Sequence, residues 1–171
     1  MSIVTINDFI GEIKVPLSSP TCGESQKLTS IIVQYEQDIL VDLLGEMYGD
    51  FIVNQADTKY QTLINGGDFV ANGVSIPFIG LRSLMAYKMY YYYQHSESTQ
   101  STSIGEQKPN NVDNYPVLVG SKLAMAWNRF VRLTGKPSDS QYKPTLYNFL
   151  NKGDYTNWCI TYIEPTNSLG L

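Results

Sequence analysis

Apolar residues in this 171-residue chain recur mostly at three- and four-residue steps, so most of it is expected to be helical. Leu28, Ile31, Ile32, Tyr35, Ile39, Leu43 and Leu44 keep that spacing and predict a helix over 25–44, with Gly45 as its stop. Short helices are expected over 46–54 and 57–64, the second with Asp57 near its cap and Asn65-Gly66-Gly67 at its end. Leu81, Leu84, Met85, Met89 and Tyr92 mark one side of a helix over 78–95. Val119, Leu123, Ala126, Trp127, Phe130 and Leu133 do the same for 117–134, which Gly135 and Pro137 close. A last short helix is expected over 145–151.

Three stretches break this rhythm. Val70-Ala71-Asn72-Gly73-Val74-Ser75-Ile76 reads as a hairpin, because a type I′ turn needs two residues at positive φ and Asn-Gly supplies them. The tail from Asn157 to Ile163 is β-prone and ends before Pro165. The segment Ile3 to Val15 is either a short helix capped by Thr5 or Asn7, or an arm; it runs into the breaker-rich Pro16, Ser18, Ser19, Pro20 and Gly23. The least hydrophobic stretch, 96–114, is longer than most structureless loops in compact domains. The expected fold is mainly α: a bundle of about four to five helices with a small β-hairpin and a β-prone C-terminal arm. The length favours one domain, made of an N-terminal arm (1–24), a helical core (25–134) holding the loop 96–114, and a C-terminal extension (135–171).

Four consecutive tyrosines, Tyr90 to Tyr93, close the helix over 78–95. Successive helical residues point in different directions, so they cannot all face one core. Tyrosine combines a large apolar area with a hydroxyl, which suits interfaces. Tyr92 continues the apolar stripe, and Tyr90, Tyr91 and Tyr93 are therefore candidates for contact with another chain.

Charged residues make up 16% of the chain, below the roughly 25% of ordinary soluble domains, which fits a surface partly covered by neighbours. The net charge is −4, which argues against nucleic-acid attraction by the chain as a whole. Its distribution is uneven: residues 1–57 hold nine acids against Lys14 and Lys27, whereas the remainder has ten bases and seven acids. Asp38, Asp42 and Glu46 align along one stripe if the helix continues past Gly45; they form a solvated face, a weak cation site, or an acidic contact. Lys122, Arg129, Arg132 and Lys136 share one sector of the helix over 117–134 and its exit. This basic stripe is a candidate partner for the acidic stripe of an adjacent subunit, and such a contact weakens as salt rises.

Catalytic patterns are missing from the sequence. His95 is the only histidine, and no HExxH is present. Gly120-Ser121-Lys122 lacks the first glycine of a phosphate-binding loop, since residue 116 is Pro116. Ser140-Gln141-Tyr142-Lys143 has serine–lysine spacing without the companion motifs of penicillin-binding enzymes. No cofactor and no metal are expected. Cys22 and Cys159 have no CxxC spacing and suit a cytosolic setting. No signal peptide and no membrane span are expected.

The string Tyr35-Glu36-Gln37-Asp38-Ile39-Leu40-Val41-Asp42-Leu43-Leu44-Gly45-Glu46-Met47-Tyr48 resembles the helix-plus-LLG-x-x-Y start of head–tail connector proteins of tailed bacteriophages. Lys59 to Gly67, then Gly80-Leu81 opening the helix that ends in the tyrosines, then Thr102-Ser103-Ile104-Gly105, then Trp127-Asn128-Arg129-Phe130, follow in the same order. The likeness covers roughly 25–134 and is closest to small neck proteins of crAss-like phages. It implies a non-enzymatic virion protein made in the bacterial host cytoplasm and located at the neck. Such proteins form a homo-oligomeric ring of about a dozen copies beneath the portal, seat the tail or other neck proteins, and extend the channel through which DNA passes without sequence-specific binding. The alternatives are another virion ring component, such as a tail-completion or terminator protein, and a small non-enzymatic helical adaptor.

Overall fold

In the computed structural model, which describes residues 2–15, 23–98, 100–102, 105–107, 119–161 and 163–166, the apolar stripes become six helices. These are α1 (Gly23–Leu44), α2 (Met47–Val53), α3 (Thr58–Asn65), α4 (Leu81–Ser98), α5 (Val119–Thr134) and α6 (Leu146–Lys152). Strands β1 (Gly67–Ala71) and β2 (Val74–Phe78) form the antiparallel hairpin, with Ala71 opposite Val74. Asn72 and Gly73 sit at φ 49° and 80°, as the turn requires. The fold is thus mainly α with a small hairpin. A second antiparallel pair, β3 (Gln100–Thr102) and β4 (Gly105–Gln107), lies within the polar stretch 96–114, most of whose remaining residues fall outside those described.

Helix α4 is the organising element. It packs against α1, α3 and α5 and against two 3-10 turns, Ile6–Asp8 and Gly11–Ile13. Leu81, Leu84, Met85, Ala86, Lys88, Met89, Tyr90 and Tyr93 are all buried, and these positions point around much of the helix circumference. A helix covered on several sides has no clean polar face, so its sequence shows a weaker amphipathic rhythm than α5. Val4, Phe9, Leu28, Leu43, Phe51, Leu63, Phe78, Phe130 and Leu150 join the same hydrophobic cluster.

The N-terminal segment is seated rather than free. Ile3, Val4, Phe9, Ile13 and Val15 are buried, and one carboxylate oxygen of Glu36 accepts hydrogen bonds from Ser2 Oγ (3.0 Å), Ile3 N (2.8 Å) and Val4 N (3.0 Å). Arg82 Nε donates to the Ile3 carbonyl at 2.8 Å. The extended main chain at Ile3 and Val4 therefore finds its partners on α1 and α4.

Two chain closures need glycine. Gly45 has φ 57°, and its N–H returns to the Val41 carbonyl at 2.9 Å, ending α1. A Cβ there would lie 3.0 Å from Cys159 Cβ, because the C-terminal tail crosses this corner. Gly80, at φ 89°, approaches Gly66 so closely that a Cβ would lie 2.5 Å from the Gly66 nitrogen.

The β-prone tail forms no strand among its described residues. Thr161 N donates to the Asp42 carbonyl at 3.2 Å, within the last turn of α1, where carbonyls lack helical partners. Trp127 and Asn128 of α5 hold Glu164 and Thr166.

Candidate functional site

Helix α4 resolves the tyrosine run by meeting a different neighbour in each direction. Tyr90 and Tyr93 are only 2% and 5% exposed and belong to the core. Tyr92 stacks on Tyr35 of α1 with ring centroids 4.3 Å apart, and Tyr91 packs on Trp127 of α5 at 5.1 Å. Burial raises the Tyr90 hydroxyl above its ordinary pKa; burial, followed by the Asp42 charge, does the same for Tyr92. The expectation that Tyr90 and Tyr93 contact another chain is corrected: their rings are already enclosed by this one. Tyr91 keeps a partly open edge, although its ring already leans on Trp127.

The acidic stripe is broken. Helix α1 ends at Leu44, and Glu46 lies past the positive-φ Gly45, so Glu46 does not continue the line of Asp38 and Asp42. Asp42 is committed within the chain. It pairs at 3.1 Å with Lys88 Nζ, and the Lys88 side chain is only 6% exposed. The same ammonium lies 5.2 Å from the Phe130 ring, so Lys88 joins α1 and α5 through α4. Asp38 and Glu46 stay exposed and form no ion pair among the described residues.

The basic residues divide in the same way. Arg129 Nε lies 3.8 Å from Glu12 Oε1, the atom to which Tyr87 donates its hydroxyl at 2.8 Å. Arg129 therefore anchors the N-terminal segment, and its enclosed Nε has no hydrogen-bond partner among the described residues. Lys122 and Arg132 are exposed and enter no ion pair there. Much of the uneven charge cancels internally, through Asp8–Arg82, Glu12–Arg129, Asp42–Lys88 and Asp50–Lys59.

Among the described residues, α1 and α5 each present an exposed face. On α1, Ser30, Val33, Gln34, Gln37 and Val41 face outward without charge; Val33 is 74% exposed, and Asp38 lies beside them. On α5, Lys122 and Arg132 face outward. Helices α1 and α5 meet α4 through different residues, Tyr35 on Tyr92 and Trp127 on Tyr91, so the acidic-edged apolar face and the basic face lie on different helices. Periodicity placed Trp127 on the apolar face of its helix but gave no sign that it, Glu36 and Asn128 hydrogen-bond distant segments. Val33 and Val41 fall outside the apolar stripe of α1, and no sequence signal marks them as a contact face.

Among the described residues, no group of three or more His, Cys, Asp or Glu side chains has the placement to hold a metal ion. His95 is exposed, with its ring 6.3 Å from that of Tyr91, and Cys159 is an exposed free thiol on Gly45. Cys22 lies outside the described residues. No described helix is long and apolar enough to cross a membrane. No protein-family model, curated protein or solved structure matches the chain.

Proposed function

We propose that this chain is a non-catalytic structural protein of a tailed-phage virion. In this reading it forms a head–tail connector ring beneath the portal, extends the DNA channel and seats the tail. The observation that carries the proposal is the pair of unlike exposed faces on α1 and α5. Val33, Gln37 and Val41, edged by Asp38, are exposed on one helix, and Lys122 and Arg132 are exposed on another. Complementary patches on different sides of one subunit make a head-to-tail contact, and such contacts close into rings when the rotation per subunit allows. Charge at the rim orients that contact, while apolar area at its centre supplies affinity. The resemblance of 25–134 to connector proteins adds the location.

The test combines mutation with mass. The chain, alone and with the portal protein of the same phage, is measured by native mass spectrometry and negative-stain microscopy. Wild-type chain forms ring-sized species at high concentration or on the portal. The variant V33E/V41E stays monomeric with unchanged circular dichroism, because both positions are exposed and carry little of the fold. Monomeric wild-type chain in the presence of portal refutes the reading, as does normal assembly of V33E/V41E.

A further inference from the structure

The sequence contains two Asn-Gly steps, Asn65-Gly66 and Asn72-Gly73, and the fold holds them differently. Both asparagine side chains are exposed, so access of water does not separate them. Asn65 closes α3. Its Nδ2 donates to Gln61 O at 3.0 Å and to Gln61 Oε1 at 3.2 Å, and the Gly66 N–H donates to Thr62 O at 2.9 Å. Gly66 is also wedged against the chain leaving β2: a Cβ there would lie 2.6 Å from Phe78 O and 3.1 Å from Gly80 N.

Asn72 and Gly73 instead form the turn between β1 and β2. Asn72 Nδ2 makes one exposed contact, 3.3 Å to Tyr142 Oη. The Gly73 N–H has no hydrogen-bond partner among the described residues, and a Cβ on Gly73 would meet nothing within 4 Å. The strands close at Ala71 and Val74, so only that pair must loosen for the peptide between Asn72 and Gly73 to rotate.

We propose that Asn72 is a site of spontaneous deamidation in the folded protein, while the end of α3 keeps Asn65 intact. Gly73 N, its proton taken by hydroxide or a buffer base, attacks Asn72 Cγ. The new C–N bond closes a succinimide ring, the Cγ–Nδ2 bond breaks, and the departing nitrogen takes a proton from water and leaves as ammonia. Water then opens the ring. Cleavage at Cγ gives aspartate in the ordinary linkage, and cleavage at the main-chain carbonyl gives isoaspartate. The net change is a gain of water and a loss of ammonia, with nothing oxidised or reduced. At Asn65 the same attack requires Gly66 N to leave Thr62 O and its backbone to turn inside the contact with Phe78 and Gly80. The two products differ in consequence. Aspartate tolerates a positive φ and keeps the turn. Isoaspartate adds a carbon to the main chain, so Ala71 no longer stays opposite Val74. Phe69 and Phe78 of the hairpin pack on Phe149, and that loss therefore loosens the contact with α6.

The test incubates the full chain at mildly alkaline pH, folded and in concentrated urea. Peptide mass spectrometry locates the amide-to-acid mass gain, and methylation by protein isoaspartyl methyltransferase counts isoaspartate. The rate at Asn72 relative to Asn65 is compared between the two conditions, which removes the effect of neighbouring sequence. Folding should widen that ratio at least about tenfold, because the hydrogen bonds of Asn65 and Gly66 must break before Asn65 reacts. The isoaspartate form, separated by ion exchange, should melt below the N72D variant, which carries the same charge in the ordinary linkage. Three results would each overturn the proposal: a rate ratio that folding widens by less than about tenfold, a folded chain whose Asn72 stays intact while urea-unfolded chain converts, or an isoaspartate form that melts together with N72D.

Discussion

Replacing Tyr90 with serine tests whether the tyrosine run belongs to the interior. Tyr90 is 2% exposed and lies on the helix that α1, α3 and α5 surround. A tyrosine buries at least about 150 Å², and at about 25 cal/mol per Å² the transfer loss alone is about 4 kcal/mol. Truncating large aromatic side chains in cores costs about 3–5 kcal/mol once the cavity is included, which agrees. For a chain of this size, each kcal/mol shifts Tm by about 2–4 °C, so Y90S should melt about 6–20 °C lower. Urea unfolding followed by circular dichroism is the assay, with V33S as the surface control, expected within about 0.5 kcal/mol of wild type. A Y90S variant within about 1 kcal/mol of wild type that nevertheless fails to assemble would return the tyrosine to an interface and refute the reasoning.

Other outcomes follow from the same contacts. Asp42→Ala strips Lys88 of its carboxylate and should cost about 1–3 kcal/mol, whereas Asp38→Ala should stay within about 0.5 kcal/mol in the same urea assay. Gly45→Ala places a Cβ against Cys159 at a positive φ, so denaturation should show a loss of about 1–2 kcal/mol or more. Burial, reinforced by Asp50, pushes the Tyr60 hydroxyl up to about 12, and burial, with Tyr60 and Asp154 nearby, does the same for Tyr155. In the unfolded chain both ionise near the ordinary tyrosine value of about 10. Their contribution is therefore intact below that pH and lost as pH climbs toward 12. Y60F and Y155F should each flatten the alkaline loss, read by thermal melts between about pH 9 and 12.

Much of this fold was legible because periodicity reports local geometry. The helices over 25–44 and 117–134 and the Asn72-Gly73 hairpin follow from spacing and turn chemistry alone. Tyr90 and Tyr93 are enclosed for a physical reason. A helix with one buried side leaves some of four successive rings outside, whereas α4 is covered by α1, α3 and α5. Asp42 and Arg129 looked like halves of two stripes, yet each has a partner far along the chain, in Lys88 and Glu12. The β-prone 157–163 forms no strand among its described residues, and Thr161 N meets the Asp42 carbonyl of α1 instead. No local pattern announces such partners.

The central claim is that the exposed faces of α1 and α5 join copies of this chain into a ring on the portal. The most direct measurement is the mass of the chain mixed with portal, taken at about 0.1 M and about 1 M salt, where screening lengths fall from about 10 Å to about 3 Å. A portal-bound ring of many copies is expected at low salt, and its marked loss at high salt, if Asp38, Lys122 and Arg132 orient the contact as proposed. A chain that stays monomeric beside the portal at both salt concentrations would contradict it.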